Sequence, residues 1–315
     1  MNMNMNMNMN TKSRLITLWV VLYFCSITNS LAASKQCHFP AIFNFGDSNS
    51  DTGGLSAAFG QAGPPHGESY FHHPAGRYCD GRLIVDFLVG SNYSHGANFA
   101  TAGSTIRPQN TTLHQTGGFS PFSLDVQFNQ FSDFQRRTQF FHNKGRSFWV
   151  HNTGPVGCLP YIMDLHPVKP SLVDKAGCAT PYNEVAKFFN SKLKEVVVQL
   201  RKELPLAAIT YVDVYSVKYS LISQPKKHGF EEPLRACCGH GGKYNYNLHI
   251  GCGAKIKAHG KEILVGKPCK DPSVWVNWDG VHYTQAANKW VFDQIFDGSF
   301  SDPPIPLNMA CHKHL

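Results

Sequence analysis

The sequence predicts an α/β protein organised around a parallel sheet, on three observations. Short apolar runs at 40–45 (PAIFNF), 147–151 (SFWVH) and 207–212 (AAITYV) each break off in a turn, at Gly46-Asp47-Ser48, Asn152-Thr153-Gly154-Pro155 and Asp213 respectively. Apolar runs of this length, stopped by turn residues, are the pattern of buried strands. Between the second and third lies the stretch 182–204, where Val185, Phe189, Leu193, Val196, Val197 and Leu200 recur at three- and four-residue steps behind Pro181, a residue suited to a helix's first turn. Strand, helix and strand at this spacing make a right-handed parallel crossover.

Ahead of the first strand the chain reads as a targeting segment. Residues 1–10 are five copies of Met-Asn, with no physical role that the sequence reveals. Lys12 and Arg14 then precede the apolar run 15–24, and Ser30, Ala32 and Ala33 offer a cleavage site, the layout of a secretory signal peptide. That run is too short to span a bilayer, and no later stretch is long enough. Residues 1–33 are therefore expected to be repeat plus signal, and 34–315 a single domain, extracellular or in the cell wall. Over 315 residues, 42% apolar and 16% charged residues suffice for one substantial core, and no internal repeat or Gly/Ser-rich linker divides it.

Cysteine usage agrees with export. Of ten cysteines Cys25 leaves with the signal, so nine remain and at least one thiol is free or bonds to another chain. Cys237-Cys238-Gly239-His240 with Cys252 is spaced unevenly for a zinc site, and in an oxidising compartment disulfides are the expectation. Asn92-Tyr93-Ser94 and Asn110-Thr111-Thr112 are glycosylation sequons. The net charge is +8; cutting at residue 33 removes two cations, Lys12 and Arg14, and leaves +6. The basic residues are dispersed rather than gathered into a stripe, which argues against a nucleic-acid partner and for a solvated basic surface.

The chemistry concentrates at two points. Ser48 follows the first strand, at the C-terminal edge of an open α/β sheet where ligands bind. Asp279-Gly280-Val281-His282 lies just before the last amphipathic stretch, 284–296, whose apolar face is Ala287, Trp290, Val291 and Ile295 and whose cap is Thr284. A serine hydroxyl is a poor nucleophile until a base takes its proton, and the base needs a partner to fix its tautomer. The short Asp-x-x-His spacing brings carboxylate and imidazole out of one turn. The expectation is Ser48 as nucleophile, His282 as general base and then acid, and Asp279 as its orienting carboxylate. Gly-Asp-Ser and Asp-x-x-His are each ordinary turns alone; their joint placement, after the first strand and before the last helix, carries the assignment.

The blocks around these residues carry a family resemblance. Phe43 through Gly53 (FNFGDSNSDTG) resembles the first block of plant GDSL esterase/lipases, in the SGNH hydrolase superfamily. Gly76–Arg82 (GRYCDGR), Gly96–Ser104 (GANFATAGS), His151–Pro160 (HNTGPVGCLP) and Trp278–Thr284 (WDGVHYT) resemble further blocks in the family's order. The likeness covers nearly all of 34–315 and points to the subgroup with early-nodulin and alpha-fucosidase names. It implies a three-layer α/β/α, flavodoxin-like fold, an ester substrate, no cofactor and no metal. It also implies that the Gly103 backbone N–H joins that of Ser48 in the oxyanion hole, where donors must aim at the charge of the transition state.

One block is missing. The third, Gly-x-Asn-Asp at the end of a central strand, supplies the superfamily's third oxyanion donor. Gly90-Ser91-Asn92-Tyr93 lacks the Asp and comes too early, and Asn143 has no strand before it. Between Gly103 and Ser147 the chain offers one helix, 124–141, and then the next block, so the fold is expected to be short of one central strand and one helix. A smaller gap lies near Leu88-Val89-Gly90. With the Met-Asn repeat, the two gaps point to a spliced or misjoined gene product. Loss of an oxyanion donor costs about 100- to 1000-fold in turnover, and loss of a strand leaves backbone groups unpaired unless the sheet closes around the gap. Asn152 is the candidate for a substitute donor, set against an ordinary structural role. Cys79, where relatives have Ser, is the candidate free thiol. Phe119, Phe122, Phe128, Phe131 and Phe134 either line an acyl pocket or belong to the core.

The leading expectation is a secreted serine hydrolase of lipid, acetyl-polysaccharide or small-molecule esters. The alternative is a silent or weakly active glycoprotein that binds an ester or glycan. A glycoside hydrolase is disfavoured, because no pair of carboxylates of the kind that chemistry needs stands out.

Overall fold

A computed structural model describes residues 36–89, 96–108, 120–138 and 146–311. The chain divides into two compact units, Met1–Cys37 and His38–Leu315, and the elements belong to the second. In order they are β1 (Ile42–Asn44), α1 (Gly54–Phe59), α2 (Ile84–Val89), β2 (Gly96–Asn98), α3 (Leu124–Thr138), β3 (Ser147–His151), α4 (Pro160–Leu165), α5 (Thr180–Glu203), β4 (Ala208–Val212), α6 (Val214–Ser223), β5 (Glu231–Ala236), β6 (Lys255–Ala258), β7 (Lys261–Leu264), β8 (Trp275–Asn277), α7 (Gln285–Phe296) and β9 (Ser301–Asp302).

The three strands expected from the apolar runs all form, and the crossover from β3 through α5 to β4 is parallel, in register from Ser147↔Ala208 to His151↔Val212. β9 adds antiparallel to β4, so β4 is central and every one of its five residues is buried. β1 pairs in parallel with β2, from Ile42↔Gly96 to Asn44↔Asn98. Among the described residues no ladder joins β1–β2 to β3–β4–β9, and β5–β8 and β6–β7 are separate pairs. Among the described residues the parallel pairs β1–β2 and β3–β4 thus belong to separate sheets.

The buried core gathers beside β4. Val212, Val217, Leu221, Ile222, Val276, Ala287, Val291 and Ile295 pack together, joining β4, α6, β8 and α7. The β1–β2 pair stands on aromatic contacts with α3 instead: the Phe43 and Phe131 rings lie 5.1 Å apart, and the Phe45 ring meets that of Phe131 edge-on at 5.4 Å. These rings are only part-buried or exposed. Phe131 and Phe134 thus pack against the strands rather than line a pocket, Phe128 is 63% exposed, and Phe119 lies outside the described residues, as do both sequons, at Asn92 and Asn110.

α3 is described over Leu124–Thr138, and the last part of its expected span, 139–141, falls outside the described residues. One helix expectation is corrected. α5 forms, with Pro181 in its first turn, but its buried face is Asn183, Ala186, Asn190 and Val197. Val185, Phe189 and Val196, expected to face the core, are 67%, 37% and 50% exposed. The reason is hydrogen bonding: Asn183 Oδ1 accepts from the Gly157 N–H at 2.9 Å and Asn190 Oδ1 from the Thr153 N–H at 2.9 Å. These bonds dock α5 through its amides on the loop after β3. α7 agrees with its expected bounds, and Thr284 caps it by accepting from the Ala287 N–H.

Disulfides join Cys158 to Cys178, Cys237 to Cys269 and Cys238 to Cys252, and Cys37 and Cys311 are also disulfide-bonded. Cys79 is the free thiol among the described residues, and it is buried. The sulfurs of Cys237, Cys238 and Cys252 are therefore spent on covalent bonds rather than held as metal ligands. No helix among the described residues is long and apolar enough to cross a membrane.

Candidate active site

Asp279 and His282 sit in the loop between β8 and α7. The loop is pinched at its base, where the Trp278 N–H donates to the His282 carbonyl at 2.7 Å and the Thr284 N–H to that of Val276 at 3.0 Å. Gly280 takes φ +99°, and a Cβ there would collide with the Tyr246 ring, so the turn needs glycine on both counts. Asp279 Oδ1 accepts from the N–H groups of Val281 (3.0 Å) and His282 (2.9 Å), while Oδ2 accepts from His282 Nδ1 at 2.7 Å. A carboxylate with three donors stays ionised. Burial opposes the charge of Asp279, but the adjacent His282 cation and its hydrogen bonds prevail and hold the carboxyl down to about 2. Burial likewise disfavours the His282 cation, and Asp279 overrides it, lifting the imidazole above its ordinary 6.5. With Nδ1–H committed to Asp279, the lone pair lies on Nε2, which is buried and has no hydrogen-bond partner.

Ser48 lies in the turn after β1, closed by the Ser50 N–H donating to the Asp47 carbonyl at 3.0 Å. Its hydroxyl does not reach His282 Nε2, which is unpartnered; such bonds often tighten only once substrate is bound. Gly103 sits in the loop after β2 at φ +73°, a conformation that favours glycine. Among the described residues neither the Ser48 nor the Gly103 N–H has an acceptor, whereas those of Ser50 and Ser104 bond to backbone carbonyls, and those of Asn49 and Ala102 to the Asp47 and Asp51 carboxylates. Both N–H groups are thus left free to donate, while those of their neighbours are engaged.

Other polar groups surround the pair. His66 Nε2 lies 4.0 Å from Asp279 Oδ2, and the Tyr78 ring is 5.8 Å from that of His282. Lys218 of α6 is buried with its ammonium 4.4 Å from the centre of the Tyr283 ring. Burial brings its pKa down to about 8, with the Asp47 carboxylate opposing that fall. His151 Nε2 is buried without a partner, and burial together with the Lys218 charge brings that ring to about 4. Asn152 does not replace the missing donor. Its Nδ2 donates to Tyr211 Oη (3.0 Å) and Asp213 Oδ1 (2.9 Å), and its Oδ1 accepts from the Tyr215 N–H.

Sequence reasoning passed over three residues near this site. Asp51 accepts from the N–H groups of Gly53, Gly54, Leu55 and Ala102. Gln127 is fully buried at the near end of α3, and Lys218 is buried within α6. The signal for the last two was present: each is a polar residue on a helical stripe otherwise apolar, Gln127 with Phe131 and Phe134, Lys218 with Val214, Val217 and Leu221.

The aspartate–histidine pair with an unpartnered ring nitrogen and the serine turn after a parallel strand are the parts that serine-hydrolase chemistry uses. The model of the GDSL-like lipase/acylhydrolase family matches residues 42–144 and 138–295. A GDSL esterase/lipase of Arabidopsis thaliana is 47% identical, over 96% of this chain and all of the relative. An esterase of Hevea brasiliensis is 48% identical over 93% of this chain and 95% of the relative. Alpha-L-fucosidase 3 of Arabidopsis thaliana is 49% identical over 93% and 98%. The chain belongs to the GDSL-like lipase/acylhydrolase family, and with it to the carboxylic-ester hydrolases. The first alignment spans 380 residues against a chain of 315, so that relative carries segments without a counterpart in this one. The two family matches meet at 138–144, where the sequence passes from α3 to β3 without the expected block.

Proposed function

We propose that the chain is exported, loses residues 1–33, and as the single domain 34–315 hydrolyses carboxylic esters of lipids, acetylated polysaccharides or acetylated small molecules through an acyl-serine. Ser48 Oγ attacks the ester carbonyl carbon while His282 Nε2 takes its proton. Asp279 stabilises the imidazolium that results. The negative oxygen of the tetrahedral intermediate is met by the N–H groups of Ser48 and Gly103. As the intermediate collapses, the C–O bond to the alcohol breaks and His282 returns its proton to the leaving oxygen. Water, deprotonated by His282 in turn, attacks the acyl carbon and frees Ser48. The single observation that supports this most is the 2.7 Å bond between His282 Nδ1 and Asp279, which leaves a buried Nε2 lone pair unclaimed. The fucosidase name of one relative is not carried over, because Asp279 is committed to three donors in its own loop, the Val281 and His282 N–H groups and His282 Nδ1, which suits it to orient the imidazole rather than to act on a glycosidic bond.

The test is hydrolysis of p-nitrophenyl acetate and butyrate by the secreted protein beside Ser48→Ala. The variant is expected to fall to the background rate. Equal rates in both proteins would overturn the assignment and favour a silent, ligand-binding role.

A further inference from the structure

We propose that Gln127 is a positioning residue of this site, whose side-chain amide holds the Ser48 turn and the Gly103 loop at a fixed separation; the inference rests on the reading of Ser48 and Gly103 given above. After the last ladder pair, Asn44↔Asn98, the two chains stay joined by the Phe99 N–H to Asn44 carbonyl bond (2.9 Å) and the Thr101 N–H to Gly46 carbonyl bond (3.1 Å). Past that point, among the described residues, no backbone hydrogen bond links the segment of Ser48 to that of Gly103. Gln127 bridges them. Its Oε1 accepts from the Gly46 N–H at 3.0 Å, and its Nε2 donates to the Gly46 carbonyl at 2.8 Å and to Ser104 Oγ at 2.9 Å. Ser104 Oγ in turn donates to the Phe122 carbonyl, fixing the loop against the chain that leads into α3.

The two contacts fall on either side of the oxyanion hole. Gly46 is two residues before Ser48, and Ser104 is the residue after Gly103. Gln127 is fully buried, so water does not compete for these bonds and an empty partner would be costly. Asp51 makes a second tie, accepting from Ala102 N–H at 2.7 Å and from Gly53 N–H at 2.7 Å, so the Gly103 loop is held on one side by Asp51 and on the other by Gln127 through Ser104. Oxyanion donors act only when held in place before charge develops, and geometry slack by even an ångström forfeits their effect. With the Asn block absent from the sequence, the hole relies the more on the two backbone N–H groups that Gln127 spaces.

The experiment compares wild type with Gln127→Met, Gln127→Glu and Ser104→Ala on p-nitrophenyl butyrate, with melting temperatures recorded alongside. Gln127→Met keeps the side chain's length and loses all three bonds. Its kcat is expected to fall at least about tenfold with KM within about twofold, the signature of an interaction spent in the transition state. Ser104→Ala removes one of the three Gln127 bonds, together with the Ser104 bond to the Phe122 carbonyl, and is expected to lose less. Gln127→Glu supplies a readout that simple loosening of the fold does not: its carboxylate cannot donate, but its protonated form can. The ratio of its kcat to that of wild type is expected to rise as pH is lowered. Wild-type kcat in Gln127→Met and Ser104→Ala overturns the proposal. If Gln127→Met fails to fold, a pH-independent ratio for Gln127→Glu overturns it equally. Full activity in Ser48→Ala sinks the underlying reading and this inference together; an inactive Ser48→Ala beside a fully active Gln127→Met sinks the inference alone.

Discussion

The two pieces of the divided sheet are held by different forces. Around β4 the side chains are buried and apolar, and α6, β8 and α7 close over them as a continuous core. Around β1 and β2 the strand residues are only part-buried, and order comes from side-chain amides and carboxylates bonding the backbone. Asn44 Nδ2 donates to the Ser50 carbonyl and to Asn98 Oδ1, Asn98 Nδ2 donates to the Ser50 carbonyl, and Asp51 and Gln127 add their own bonds. The His–Asp pair stands on the first piece and the serine on the second. Hydrophobic burial is non-directional and scales with area, so it gives the β4 side stability. Hydrogen bonds fix direction, which is what a nucleophile and two oxyanion donors need.

That contrast can be broken by experiment. The largest effect is expected from Asp279→Ala, which is predicted to lower turnover by about four orders of magnitude and also to shift its pH dependence. Because Asp279 raises the His282 pKa, wild-type kcat/KM should fall as pH drops through a midpoint above 6.5, and the variant's midpoint should lie lower. A midpoint that stays put would separate the pair functionally. On the β4 side, Ile295→Ala should cost about 2–5 kcal/mol in urea unfolding, since it empties a buried site. On the β1 side, Asp51→Asn should cost about 1–3 kcal/mol by weakening charge-assisted bonds. Its hydrogen-exchange signature should be local, with faster exchange at Gly54 and Ala102 and little change in β4. Phe128→Ser, at an exposed position, should change stability by no more than about 0.5 kcal/mol. A loss near that of Ile295→Ala would contradict the exposure of the Phe128 ring.

The strands and the site loop were legible because their signals are local: apolar runs that stop at Gly46, Asn152 and Asp213, and an aspartate three residues before a histidine. The divided sheet was legible as well, since the sequence passes from the α3 stretch to the β3 stretch without the Gly-x-Asn-Asp block. The face of α5 was not, because the helix has apolar residues on two sides, and the side that docks does so through Asn183 and Asn190, which hydropathy ranks as surface residues. The exposed stripe of Val185, Phe189 and Val196 accords with the helix that the sequence lacks. The burial of Gln127 could be read from its place on the stripe of Phe131 and Phe134, but its partners could not, because Gly46 and Ser104 are far from it in sequence.

The most direct test of the account is to trap the nucleophile. The secreted protein is treated with a fluorophosphonate and the adduct mapped by peptide mass spectrometry. A single adduct on Ser48, absent from His282→Ala, is the predicted result. An unlabelled wild-type protein, or an adduct on any other residue, would contradict it.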